Sequence, residues 1–155
     1  MATYSFQDNM CSIVGPNGSF SLGAGAGDAE GGISVVMTED KDTMTLGADG
    51  QVMHSLHASK SATVTVRLLK TSPTNALLSA MYAADAQNSQ NWGFNTISVR
   101  DMSRNDVIVC RDAAFAKFAD VTYAKDGGEM TWTFHAGVVD FVLGSGIAAA
   151  TGVAG

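Results

Sequence analysis

His54 and His57 stand three residues apart. That spacing would put two imidazoles on one face of a helical turn, the beginning of a zinc site. Zinc takes three or four protein ligands, and no further histidine, cysteine or acid stands at metal-like spacing beside this pair. The pair therefore reads as a surface or interface feature. Glu39 and Asp40 are adjacent acids. Neighbours on an extended backbone point to opposite faces, so they suit a solvated hairpin tip better than an acid–base dyad. Gly144-Ser145-Gly146 departs from the nucleophile-elbow pattern, which needs a residue on each side of the serine. The glycine run at residues 23–27 has Asp28 where a dinucleotide fingerprint needs its third glycine, and it has no phosphate-loop lysine. Cys11 and Cys110 are too few for a disulfide framework and read as free, partly buried thilos of a protein made in a reducing cytoplasm. No catalytic residue, cofactor or metal is expected, and the chain is not expected to be an enzyme.

The elements that carry these residues are short and mostly extended. Residues 61–70 alternate cleanly, with Ala62, Val64, Val66 and Leu68 on one face and Thr63, Thr65 and Arg67 on the other. That is the period of a half-buried strand. Residues 129–136 repeat the pattern, with Met130, Trp132, Phe134 and Ala136 inward and Thr131, Thr133 and His135 outward. Further strands are predicted over residues 4–14, 19–22, 33–38, 94–100, 107–111 and 119–125. The turn Gly15-Pro16-Asn17-Gly18 makes the first two a hairpin. Residues 43–46 are expected to form a return strand, and residues 51–58 a short turn of helix. One true helix is expected, opened by Ser72 as cap and Pro73 at its first position, with Leu77, Leu78, Met81 and Tyr82 on one face. Residues 83–91 then read as a polar loop. Strands joined by short turns, with one helix, predict a mainly β fold: an antiparallel β-sandwich or partly closed barrel.

Composition sets limits on the partners. The chain has 155 residues, 46% of them hydrophobic and only 15% charged. It can bury a core as a single domain, expected over residues 1–143, with a small apolar tail at 144–155. A surface this poor in charge suggests burial against other chains. The net charge is −6, with seven acids against two bases before Ser61. A basic nucleic-acid surface is therefore disfavoured. The first residues lack the basic start and apolar core of a signal peptide. No apolar run approaches a membrane span.

Residues 39–60 form a long arm: polar, acidic and glycine-punctuated, yet carrying Met44, Leu46, Val52, Met53 and Leu56. Such a segment is expected to lack structure in a lone subunit and to order when those side chains insert against a neighbour. The polar strand faces are regular and nearly uncharged: Thr63 and Thr65 on one strand, Thr131 and Thr133 on another. On their own they suit a plain solvent face.

Several stretches also carry a family pattern. KDTMTLGADG at 41–50 and SLHASKSATVTVRLLKTSPTNALLSAMY at 55–82, with MATYSFQDN, GPNGSFSLGAGAG and TYAKDGGEMTWTF, resemble tail tube proteins of contractile-tailed bacteriophages. The resemblance covers roughly residues 2–143 and includes no catalytic motif. It implies hexameric rings stacked into an inner tube in the virion, made in the host cytoplasm. It further implies a sheath outside and a polar, non-basic lumen that holds a tape-measure protein and later passes DNA, with Thr63, Thr65, Thr131 and Thr133 as candidates for the polar tube faces. Baseplate and terminator proteins would sit at the ends. Sheath contacts are expected on the outer side, where the helix at 72–84 is one candidate; covering an open end of the sandwich is its competing role. The alternatives are the inner tube of a phage-like contractile injection system, or a monomeric β-sandwich binding module.

Overall fold

The alternation in residues 61–70 becomes a strand, β6 (Ala62–Leu69), whose Ala62, Val64, Val66 and Leu68 are all buried. Its neighbours follow from the same period. The computed structural model describes residues 9–22, 28–101 and 105–144. It contains β1 (Asn9–Gly15), β2 (Gly18–Ser21), β3 (Asp28–Met37), β4 (Asp42–Leu46), β5 (Val52–Leu56), β6, α1 (Thr74–Ala86), β7 (Asn95–Asp101), β8 (Asp106–Lys117) and β9 (Glu129–Val142). Seven strands form one antiparallel sheet in the order β2-β1-β7-β8-β9-β6-β3, and β4 and β5 pair separately. The fold is mainly β with one helix and is not closed into a barrel, as the β-sandwich expectation requires.

A seven-stranded sheet is about 30 Å wide, and a helix about 10 Å across cannot cover it. The sheet therefore has to curl over itself, and β8 and β9 show where. In β8 the buried positions run Phe115, Ala113, then Cys110; in β9 they run Trp132, Phe134, Ala136, then Val139. Both strands step by three at the same rung, between the pairs Ala113↔Ala136 and Cys110↔Val139. At that rung Asp112 adopts φ 54°, left-handed for a residue with a side chain. Opposite it sits Gly137, where an added Cβ would come within 3.3 Å of the Asp112 Cβ. Bends of this kind let strands pass from one layer of a sandwich to the other. One layer is β3, β6 and the near halves of β9 and β8. The other is β2, β1, β7 and the far halves of β8 and β9. A single hydrophobic cluster draws on both layers and on α1.

The helix closes the side between the layers. Leu78 and Met81 are buried, Tyr82 stacks edge-on against Phe115 and Phe118, and Trp132 Nε1 donates to Asn75 Oδ1 at 3.0 Å. Ser72 accepts the Thr74 amide on its hydroxyl at 3.3 Å, as a cap should, and Pro73 already has helical angles of φ −65° and ψ −18°. The only charged side chain of α1, Asp85, is buried. Its carboxylate accepts from Asn17 in the β1–β2 turn and from Asn95 Nδ2 at 2.9 Å. This trio ties hairpin, helix and β7 together.

Several sequence expectations are corrected. Residues 51–58 are not helical: Val52–Leu56 is a strand. Residues 43–46 pair with that strand rather than with residues 33–38. Residues 119–125 form no strand, because β8 runs on to Lys117 and the chain then loops to Glu129. The expected polar loop at 83–91 begins later, since α1 reaches Ala86. The stretch at 4–8, the glycine run at 23–27 and the tail beyond Gly144 lie outside the described residues.

The close approach of β1 to the buried trio yields a stability test. A Cβ at Gly15 would fall 1.8 Å from Asn95 Oδ1, inside a fully buried site. Gly15→Ala should therefore destabilise by roughly 1–3 kcal/mol through overpacking, read as a lowered urea midpoint. An unchanged midpoint would contradict the packing described here.

Candidate assembly interface

The arm is a hairpin with its own register. Asp42 pairs with Leu56, Thr43 with Ser55, Met44 with His54, Thr45 with Met53, and Leu46 with Val52. Around the turn, Gly47 donates to the Gln51 carbonyl, and Gly50 has φ 87°, a conformation that suits glycine. The expectation that the arm lacks structure in a single chain is thus not met: ladder bonds fix it. Its root continues the β3–β6 pair, with the Thr38 amide on the Ser61 carbonyl and the Val139 amide on the Lys60 carbonyl. The arm therefore springs from the bend of the main sheet.

Pairing sorts the five apolar side chains of the arm. Met44, Leu46, Val52 and Leu56 share one face of the hairpin with Asp42 and His54. Met53 lies on the other face, among Thr43, Thr45 and Ser55. All five are between 50% and 81% exposed. An isolated two-stranded hairpin with one apolar face has nothing to bury it in a single chain. The two histidines do not share a helical face. His54 Nδ1 lies 2.9 Å from Asp42 Oδ2, and His57 Nε2 lies 2.6 Å from Thr43 Oγ1. Among the described residues no group of three or more acids, histidines or cysteines could hold a metal.

The two threonine stripes, read separately in sequence, meet on one surface. Thr65 pairs with Thr133, Thr63 with His135, and Arg67 with Thr131, all on the side of β6 and β9 away from the core. Ser34 and Val36 of β3 and Ala114 of β8 extend this face. It is polar and only lightly charged. Lys117 at its border is held by Asp120 at 3.4 Å.

A second outward face escaped the sequence reading. Across the other layer, Met10, Arg100, Val107 and Val142 form one row and Ser12, Ser98, Val109 and Asp140 the next. Arg111 is paired there with Asp140 at 2.7 Å. Periodicity could not reveal this face, since Val107, Ile108, Val109 and Cys110 are apolar in both phases.

A family model described as the bacteriophage PhiTE tail tube protein matches residues 1–144. The chain belongs to this family. Its role is structural, as a component of a phage tail tube and so of the virion. A chain of the anti-feeding prophage cap, which terminates the AFP tube and was solved by cryo-EM, resembles it with a TM-score of 0.58. That match is 9% identical and covers 92% of this chain and 94% of the other. A chain of the anti-feeding prophage baseplate matches with a TM-score of 0.44 at 10% identity, over 92% of this chain and 94% of that one. The likeness to the cap chain shows a shared fold. A search of curated proteins finds no match. No helix among the described residues of this tail tube protein is long and apolar enough to cross a membrane.

Cys11 and Cys110 of the tail tube protein are both buried, and neither is in a disulfide among the described residues. Burial raises Cys110 from its ordinary 9.0 to about 11. At neutral pH it is therefore a packed thiol and a poor nucleophile. Because the folded state holds this proton more tightly than the unfolded chain, stability should fall as pH rises from 9.0 towards about 11. Denaturation midpoints across that range should decline, and Cys110→Ala should flatten the decline. A variant with the same slope as the wild type would count against the assignment.

Proposed function

We propose that the tail tube protein builds hexameric rings that stack into the inner tube of a contractile tail. The tube is a passive conduit, filled by a tape-measure protein and then crossed by DNA, with the sheath outside and baseplate and terminator proteins at its ends. The observation that carries this reading is the exposed apolar face of the arm. Met44, Leu46, Val52 and Leu56 project on one side of a hairpin that stands off the main sheet. Removing apolar area of this kind from water favours association at about 25 cal/mol per Å² before entropic costs. The arm of one subunit would reach the neighbouring ring or subunit, with Met53 on its second side.

The threonine face suits the wall of the passage. Thr63, Thr65, Thr131 and Thr133 offer hydroxyls without charge, and phosphates that meet few cations release few counterions and are not retained. Arg111 and Lys117 are each paired with an acid, which lowers their pull on DNA. The likeness to a tube-terminating cap supports a second reading on the same plan, the inner tube of a phage-like contractile injection system.

The test is a triple substitution, Met44, Leu46 and Leu56 to serine. These side chains are exposed in the single chain, so the melting temperature should stay within about 0.5 kcal/mol of wild type in stability terms. Tube formation, followed by sedimentation and negative-stain imaging, should be lost. Normal tubes from the triple variant would refute the role given to the arm. A wild-type protein that stays monomeric at high concentration in several salts would favour a binding module.

A further inference from the structure

The apolar face of the arm needs a receptor; besides loop aromatics such as Trp92, Phe94 and Tyr123, the described surface exposes apolar side chains on regular elements, and two such regions stand out. One is the outward side of α1, with Ala76, Leu77, Ala80 and Ala83, which bears no charged side chain. The other is the outer face of the layer built from β1, β7, β8 and β9. We propose that this second face receives the β4–β5 arm of another copy of the chain, with Asp42 of the arm meeting Arg100. The proposal rests on the reading of the arm given above and names its partner surface.

Shape favours this pairing. Met10, Val107, Val109 and Val142 and the short Ser12 and Ser98 make a shallow pleated face four strands wide, about 14 Å across. Each arm strand has five residues, about 17 Å long. Two pleated faces of similar extent pack at about 10 Å with interleaved side chains. Met10 and Val142 are each roughly half exposed or more in the single chain, which is apolar area this contact would remove from water.

Charge selects the same face over the helix. Asp42 is the one acid whose side chain lies on the apolar side of the arm's ladder. In the single chain it meets only His54, in an exposed contact of little energetic weight. On the proposed receptor Arg111 is already held by Asp140. Arg100 is exposed, sits between Met10 and Val107 in one row, and has no ion pair among the described residues. An arginine set in an aliphatic face, facing an acid set in an aliphatic arm, gives the contact a register as well as area. The helix surface has no cation to answer Asp42.

Charge reversal tests the contact in the full-length protein. Arg100→Asp and Asp42→Arg should each raise the concentration needed for half-maximal assembly at least tenfold, with unchanged melting. Val109→Lys, in the middle of the face, should do the same. An equimolar mixture of Arg100→Asp and Asp42→Arg subunits should recover assembly to within about threefold of wild type, because each altered arm then meets an altered receptor. Recovery by mixing requires the contact to lie between chains; an arm docked on its own subunit would show none. If the serine triple variant fails to assemble while Arg100→Asp and Val109→Lys assemble normally, the arm still works but its receptor lies elsewhere, and this proposal falls alone. Loss of assembly in both reversals without recovery in the mixture would also overturn the pairing.

Discussion

A sheet of seven strands with one helix can bury a face only by folding over, and the bend in β8 and β9 is where this chain does so. Asp112 in a left-handed conformation and Gly137 opposite it shift the buried positions of both strands by one residue at a single rung. Everything outward depends on that shift. Before it, the outer side of β9 is Thr131, Thr133 and His135; after it, the outer side is Val138, Asp140 and Val142. Two chemically different walls thus come from one continuous strand. The bend also leaves the Val139 amide free to bond the Lys60 carbonyl, so the root of the arm is anchored where the layers diverge.

The interior combines aromatic packing with one polar knot. Phe115, Trp132 and Phe134 meet edge-on or tilted within 6 Å, arrangements favoured by the ring quadrupoles. Against this stands Asp85, buried with no ion pair among the described residues and held by the amides of Asn17 and Asn95. A buried carboxylate is tolerable when donors satisfy it, and such contacts specify one arrangement more than they stabilise it. Here they fix which end of α1 faces the β1–β2 turn. The helix therefore serves the fold through its buried side, and its outward side carries no charge.

For a tail tube protein these features divide labour between surfaces. A scaffold stiffened by long shared strands keeps the two outer faces at a set angle. One face is hydroxylated and nearly neutral. The other is largely aliphatic and carries Arg100, which has no ion pair among the described residues. The arm, with apolar side chains sorted to one side of its ladder, adds a projecting element whose exposed area the single chain cannot bury.

Much of this was legible from residue order. The strict alternation of residues 61–70 and 129–136 fixed two central strands and their inward faces, because a half-buried strand has period two and nothing else fits it. Ser72-Pro73 placed the start of the helix through capping chemistry. The apolar residues of the arm stood out in a polar stretch. Other features only the tertiary structure decided. Residues 51–58 took a strand because the Gly47–Gly50 turn set them beside residues 42–46, a cross-strand pairing that overrides local helical spacing. The stretch at 119–125 lost its strand because β8 supplied that length earlier. The two threonine stripes became one surface only through the β6–β9 register. The valine face stayed hidden because a run apolar in both phases does not say which side is buried. That choice is made by the bend, a contact between residues 25 positions apart, and no local pattern encodes it.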